Sequence, residues 1–341
     1  MAGRSGGQLL AAVSAAAGQH LAAASGGHAG AESMTTGADD FAGLERALHG
    51  FWLSSREGRA SRGGAAWLST LEGLMGLYFG RLEWSFSGME WNPGAYLNFA
   101  DERTRPAADL LARVRVASPQ RVVDLGCGPG NSTGLLAARW PGAEVVGVDS
   151  SAAMLAQAAR SGVRARWVEA DLNTWVPEVA YDLVFSNATF QWLGEHRVLL
   201  PRLMGFVRPG GVFAFQVPEN FSAASHRLMR EVAASGPWSE KLRDVREGSV
   251  LSAEDYYGIV SPLARSVDVW QTTYLHVLDG DDPVLGWVRA TGLRPFVQAL
   301  EGGERAGFLE AYRARLRVAY PKRADGRTLF AFRRLFVVAE V

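Results

Sequence analysis

Asp124, Gly126, Gly128 and Gly130 stand within seven consecutive residues, Asp-Leu-Gly-Cys-Gly-Pro-Gly. Glycines at a strand end let the backbone approach a ligand closely, because they accept positive φ and leave no side chain in the way. The acid ahead of them can serve an ammonium group, so the loop suits a zwitterionic amino-acid tail. A second acid, Asp149, follows Gly130 by nineteen residues, where a carboxylate can accept both hydroxyls of a ribose. A third acidic stretch, Glu169-Ala170-Asp171-Leu172, can accept from an adenine amino group. Singly, each feature has a plain structural use, as a tight turn or a helix N-cap. Jointly they describe S-adenosylmethionine. A dinucleotide site would put its third glycine at the sixth motif position, which here is Asn131, and an NADP enzyme would favour a cation in place of Asp149.

These residues converge only if successive strands run parallel and end on one edge. Residues 121–125 read as a short buried strand, 132–140 as a helix stopped by Pro141-Gly142, and 145–148 as a second buried strand. Ser150 or Ser151 caps a helix carrying Met154 and Leu155. Strands follow at 164–169 and 181–186, a helix at 197–206, the turn Arg208-Pro209-Gly210-Gly211, and a fifth strand at 212–217. The alternation predicts an α/β fold with a doubly wound, Rossmann-like sheet whose ligands sit beyond the strands' carboxyl ends. Helical inserts are expected near 219–265 and 281–325. An apolar run at 267–277 lies between them, and a closing antiparallel strand over 328–338 completes the chain.

Composition narrows the partners. Lys+Arg and Asp+Glu are equal at 35 each in 341 residues, so no global positive field favours nucleic acid. Cys127 is the single cysteine, which excludes an internal disulfide and a cysteine-cluster metal site and fits a reducing, cytoplasmic location. No window resembles a membrane span. Residues 1 to about 40 are rich in Ala, Gly and Ser, and read as disordered. The working domain is expected over 89–341, with 1–88 an extension or an artefact of the gene model. Met89 and Met34 are both candidate starts.

The strand-end motifs resemble the class I methyltransferase signature. The chain from Met89 onward is similar to the trans-aconitate methyltransferase family, through Trp91-Asn92-Pro93, Tyr96-Leu97, Glu102-Arg103, Arg105-Pro106, Gln191-Trp192-Leu193, Leu228 to Val232, and Ala290-Thr291-Gly292-Leu293-Arg294-Pro295. The resemblance implies a seven-stranded sheet and methylation of one carboxylate of a small tricarboxylate by a cytoplasmic monomer. No metal is implied. Cofactor contacts fall on Asp124, Gly126, Cys127, Gly128, Gly130, Asn131, Asp149, Ser150, Met154, Asp171, Leu172, Asn187 and Ala188. Tyr96, Arg103 and Arg105 belong to a segment that the resemblance lays across the cofactor.

A carboxylate with a pKa near ~4 is already ionised at neutral pH, so no general base and no catalytic dyad are expected. The protein must position the acceptor and exclude water. The other carboxylates need cations and donors, and arginine's planar fork suits them. Arg294 is the first choice, with Trp287 as an apolar wall. Arg333 and Arg334 adjoin on the last strand, so alternation sends one to each face, and Arg333 is taken as the substrate candidate. Tyr96, Arg105, His276, Gln191 and Trp192 complete the substrate side. Alternatives are another small or carrier-bound carboxylate such as a malonyl thioester, a non-catalytic S-adenosylmethionine-binding protein, and a Rossmann oxidoreductase.

Overall fold

Apolar, β-branched runs flanked by turn residues build the strands. In the computed structural model, which describes residues 100–341, β1 (Arg121–Leu125), β2 (Glu144–Asp149), β3 (Arg166–Glu169), β4 (Tyr181–Asn187) and β5 (Val207–Pro218) lie parallel. β6 (Ser266–Leu278) and β7 (Thr328–Glu340) join antiparallel, giving a seven-stranded sheet ordered β3-β2-β1-β4-β5-β7-β6. The expected α/β class and strand count hold.

The helices alternate with the strands. They are α1 (Ala100–Arg113), α2 (Asn131–Arg139), α3 (Ala152–Ala159) and α4 (His196–Met204), followed by α5 (Ala224–Ser235), α6 (Ser239–Leu242) and α7 (Ala253–Val260) of the first insert. The second insert contains α8 (Pro283–Arg289), α9 (Arg294–Gln298) and α10 (Gly302–Ala319). Among the described residues, no helix is long and apolar enough to cross a membrane.

Two core layers flank the sheet. Val123, Leu125, Val184, Phe213 and Phe215 bury one face, and Val122, Phe185, Ala214 and Phe336 bury the other against Ala107, Leu110 and Leu111 of α1. Each such Val, Leu or Phe side chain contributes roughly 1.5–3 kcal/mol on burial. Asp182 fixes the start of β1 against β4 by accepting from the backbone N–H groups of Gln120 and Arg121 at 2.7 and 2.8 Å.

Two readings of the sequence change. The turn expected at 208–211 is absorbed into β5 as an irregularity, since Tyr181 pairs with Val207 and Leu183 with Val212. Gly210, at φ 78°, donates its N–H to Val341 O at 2.7 Å. The apolar run 267–277 is the edge strand β6. β5 stops at Pro218, opposite Arg334, while β6 and β7 continue paired from Thr273↔Arg333 to Leu278↔Thr328. This two-stranded arm extends past the carboxyl edge, and the insert residues Trp287, Phe296, Phe308 and Tyr312 form a third core with its Phe330 and Phe332.

Candidate active site

The loop after β1 is held from two sides. Gly126 N–H and Cys127 N–H both donate to Val148 O of β2, at 2.7 and 3.0 Å. Gly126, Gly128 and Gly130 have φ of 70°, 53° and 92°, the left-handed region that favours glycine. They do different work. A Cβ on Gly126 would lie 2.1 Å from Thr189 Cγ2, so this glycine admits the loop after β4. A Cβ on Gly130 would meet Trp167 at 3.0 Å, so this one packs α2 close to β3. Gly128 has nothing within 4 Å and faces open space.

Asp149 joins this loop to the end of β2. Its Oδ2 accepts from Gly128 N–H and its Oδ1 from Ser151 N–H, each at 2.9 Å. Burial raises its pKa against the opposing effect of these backbone donors. Each carboxylate oxygen has a second lone pair for a ligand hydroxyl. Ser151, rather than Ser150, caps α3 by accepting from Met154 N–H. Asp171 Oδ1 accepts from the backbone and side-chain amides of Asn173, both at 2.9 Å. At the end of β4, Ala188 is a non-glycine residue at φ 55°, a conformation that concentrates at functional sites. Its N–H donates to Gln216 O at 2.9 Å.

These elements surround one cavity. Gly126, Cys127 and Gly128 line it with Asn131, Asp149, Ser150, Met154, Asp171, Leu172, Asn187, Ala188 and Trp192. S-adenosylmethionine fits this donor set: Asp149 for the ribose, a bare backbone at Gly128, and Asn187 Oδ1, a buried acceptor without a hydrogen-bond partner among the described residues. The Cys127 thiol is buried and its pKa is pushed up by that burial and by Asp124 and Asp149, so it is no nucleophile.

Beyond Asn187, on the sheet face that α1 covers, lies a second polar group. Gln216 pairs in register with Asn187, and its Oε1 accepts from Arg334 Nη1 at 3.1 Å. His276 stacks on Trp287, with ring centroids 4.5 Å apart. Burial, with Arg334 and Arg105 nearby, pushes its pKa down to about 4, so the ring is neutral at pH 7. Tyr274 donates to Asp109 Oδ2 at 2.6 Å, and the Arg105 guanidinium lies 5.0 Å from the Tyr274 ring.

Residues 122–211 match a family model described as a methyltransferase domain. Trans-aconitate 2-methyltransferases from Methylobacterium radiotolerans and Paracidovorax citrulli are 53% and 51% identical over 254 residues, 73% of this chain and 98% of theirs. That from Azoarcus sp. is 52% identical over 250 residues, with the same coverage. The chain belongs to the trans-aconitate 2-methyltransferase family. Among solved structures, a phosphoethanolamine N-methyltransferase 2 from Haemonchus contortus is similar at 18% identity and a TM-score of 0.46, covering 76% of this chain and 58% of that one.

In this member of the trans-aconitate 2-methyltransferase family, several expected contacts sit elsewhere. Asp124 is wholly buried, and its Oδ2 accepts from the Ser132 and Thr133 hydroxyls at 2.7 Å each. It fixes the start of α2 from behind the loop, outside the cavity lining, and burial raises its pKa to about 6. Gly130 also lies behind the lining, as the packing glycine.

The Gln191 side chain turns back to donate to Ala188 O at 2.5 Å, while the Gln191 backbone carbonyl accepts from Ser249 N–H. Arg333 pairs with Glu219 at 3.2 Å in a separate groove with Arg230. Arg294 is half-buried at the first position of α9, outside the cavity lining. Arg105 is exposed and likewise outside it, although its neighbour Thr104 lines the cavity. Tyr96 and the side chain of Arg103 lie outside the described residues.

Sequence reasoning missed Thr104, Ser132, Asn173, Thr189 and Leu193 in the lining. Ser132 and Asn173 follow the motifs directly and were findable; Thr189 carries no local signal.

Proposed function

We propose that this chain transfers the methyl group of S-adenosylmethionine to a carboxylate of trans-aconitate, giving the monomethyl ester and S-adenosylhomocysteine. The observation that carries the reading is the cavity at the carboxyl edge, where Asp149, Asp171 and the bare backbone of Gly128 meet. The family relatives at about half identity supply the acceptor.

When bound, the cofactor supplies an electrophilic methyl on a positively charged sulfur. Asp149 would hold its ribose, Asp171 and Leu172 its adenine, and Asn187 with Ala188 the amino-acid side near the glycine loop. The acceptor carboxylate is ionised before it arrives, so no residue must remove a proton. What this chain contributes is alignment and exclusion of water. Trp192, Leu193 and Leu172 give the cavity an apolar side, where an anion meeting a cation is less shielded than in water. The single cysteine fits a reducing compartment and supports a cytoplasmic protein, and we infer a monomer.

Purified full-length protein incubated with labelled S-adenosylmethionine and a panel of free carboxylic acids tests the reading. Turnover is expected on trans-aconitate. Robust turnover on another acid, with none on trans-aconitate, overturns it.

A further inference from the structure

The polar group beyond Asn187 does more than fill a core. Asn187 and Gln216 are register partners on β4 and β5, so they share a sheet face. Arg334 lies on that face of β7, 4% exposed, and donates to Gln216 Oε1. His276 continues the row on β6, within electrostatic reach of Arg334. Gln216 Nε2 and His276 Nε2 are both buried and have no hydrogen-bond partner among the described residues. Native structures seldom leave buried polar atoms unpaired without a reason. Tyr274 on the same face shows the ordinary outcome, paired with Asp109 at 2.6 Å. A row that merely specified the fold would be satisfied in the same way.

The row begins at a residue of the cofactor cavity and runs outward, combining an amide N–H₂, a permanent guanidinium charge and a neutral imidazole. Carboxylates match it: each has two planar oxygens that accept several donors, and guanidinium and amide forks meet them in pairs. We propose that Gln216, Arg334 and His276 form the seat for the substrate carboxylates that are not methylated, leaving the reacting one toward Asn187 and the cofactor cavity. This inference rests on the reading of the chain as a methyltransferase acting on a polycarboxylate. It replaces Arg294 and Arg333 as the leading substrate ligands, and it gives the β6–β7 arm a function, because the arm is what carries His276 past the end of β5.

The test compares wild type with Gln216→Ala and Arg334→Lys in two measurements. In the first, KM for trans-aconitate rises about tenfold or more while kcat stays within about threefold and affinity for S-adenosylhomocysteine is unchanged, the pattern of lost ground-state binding. In the second, tricarballylate and acetate are titrated into protein loaded with S-adenosylhomocysteine; the preference for the tricarboxylate collapses in the variants. If wild type methylates trans-aconitate and the variants keep its KM, the seat is wrong and the activity stands. If wild type methylates no tricarboxylate yet binds tricarballylate, and Gln216→Ala loses that binding, the seat stands and the activity is wrong. Wild type that neither methylates nor binds a tricarboxylate overturns both. Should either variant fail to bind S-adenosylhomocysteine, Gln216→Asn takes its place, and wild-type KM there overturns the seat.

Discussion

Asp149 Oδ2 accepts the Gly128 backbone N–H at 2.9 Å, and this one bond joins the loop after β1 to the acid that ends β2. The loop is also drawn to β2 by two N–H groups on Val148 O. The carboxylate is therefore oriented before any ligand arrives, and reorganisation on binding is small.

Replacing Asp149 removes both the ligand's acceptor and the loop's anchor. Asp149→Ala is expected to weaken S-adenosylhomocysteine binding by roughly 1.5–3 kcal/mol, the scale of a charge-assisted hydrogen bond. Calorimetry on the folded variant reads this directly. An unchanged affinity takes Asp149 out of the site.

The three glycines separate by what surrounds them. Gly126→Ala drives a Cβ into Thr189, at 2.1 Å from Cγ2, besides the strain of φ 70°. Gly128→Ala meets nothing within 4 Å and carries only the left-handed strain, about 1–2 kcal/mol. Gly126→Ala should lower the melting temperature more, and Thr189→Gly should restore part of that loss. Thermal melts of the two single variants and the double form a mutant cycle; additive effects would show that the contact does not limit the turn.

Most of the sheet was legible because its strands are short apolar runs ended by acids or turns. β1, β2 and α3 were readable from period and capping alone, since Leu125 and Val148 must be buried and Ser151 precedes an apolar helix. Asp149 and Asp171, which line the cavity, were legible because each stands at or just past a strand end, where local sequence fixes position, whereas Asp124 lies within β1 and anchors the start of α2 instead. The substrate side was not. Arg333 and Arg334 are adjacent, and alternation says only that they part; which one faces inward depends on the register β7 takes against β5, where Arg334 meets Pro218. Gln216 looked like one more residue of a core strand. Its importance comes from lying beside Asn187 and diagonal to Arg334, relations made by strands that are far apart in sequence.

Cys127 sits in the loop at 3% exposure, with its thiol disfavoured as an anion by burial and by Asp124 and Asp149. The folded protein should resist alkylation by iodoacetamide at neutral pH and react fully once unfolded. Intact-mass measurement before and after denaturation decides it. Rapid labelling of the native state would mean that the loop opens.

The stability drawn from keeping His226 and His276 neutral should fall as pH drops from about 6.5 toward 4. Burial pushes the pKa values of His226 and His276 down to about 4 each, whereas in the unfolded chain they titrate near ~6.5. Between those values the unfolded state binds the extra protons, so unfolding is favoured as the solution becomes more acidic. Asp124 acts in the opposite sense. Its folded pKa is raised to about 6, so its protonated form favours the fold, and that contribution is lost as pH rises from ~4 through 6. Burial also raises Asp149 and Glu247 and lowers His196, so the histidine contribution is read on one residue at a time. His226 lies against Gly292, where a Cβ would come within 3.1 Å of its Nε2, and its Nδ1 is 3.3 Å from Ser225 Oγ. Glutamine can keep a polar atom near that hydroxyl without titrating. Relative to wild type, His226→Gln should therefore be stabilised progressively on going from pH 7 to pH 5, by melts at matched ionic strength. A difference between the two proteins that does not change with pH would show that His226 is not held neutral by the fold.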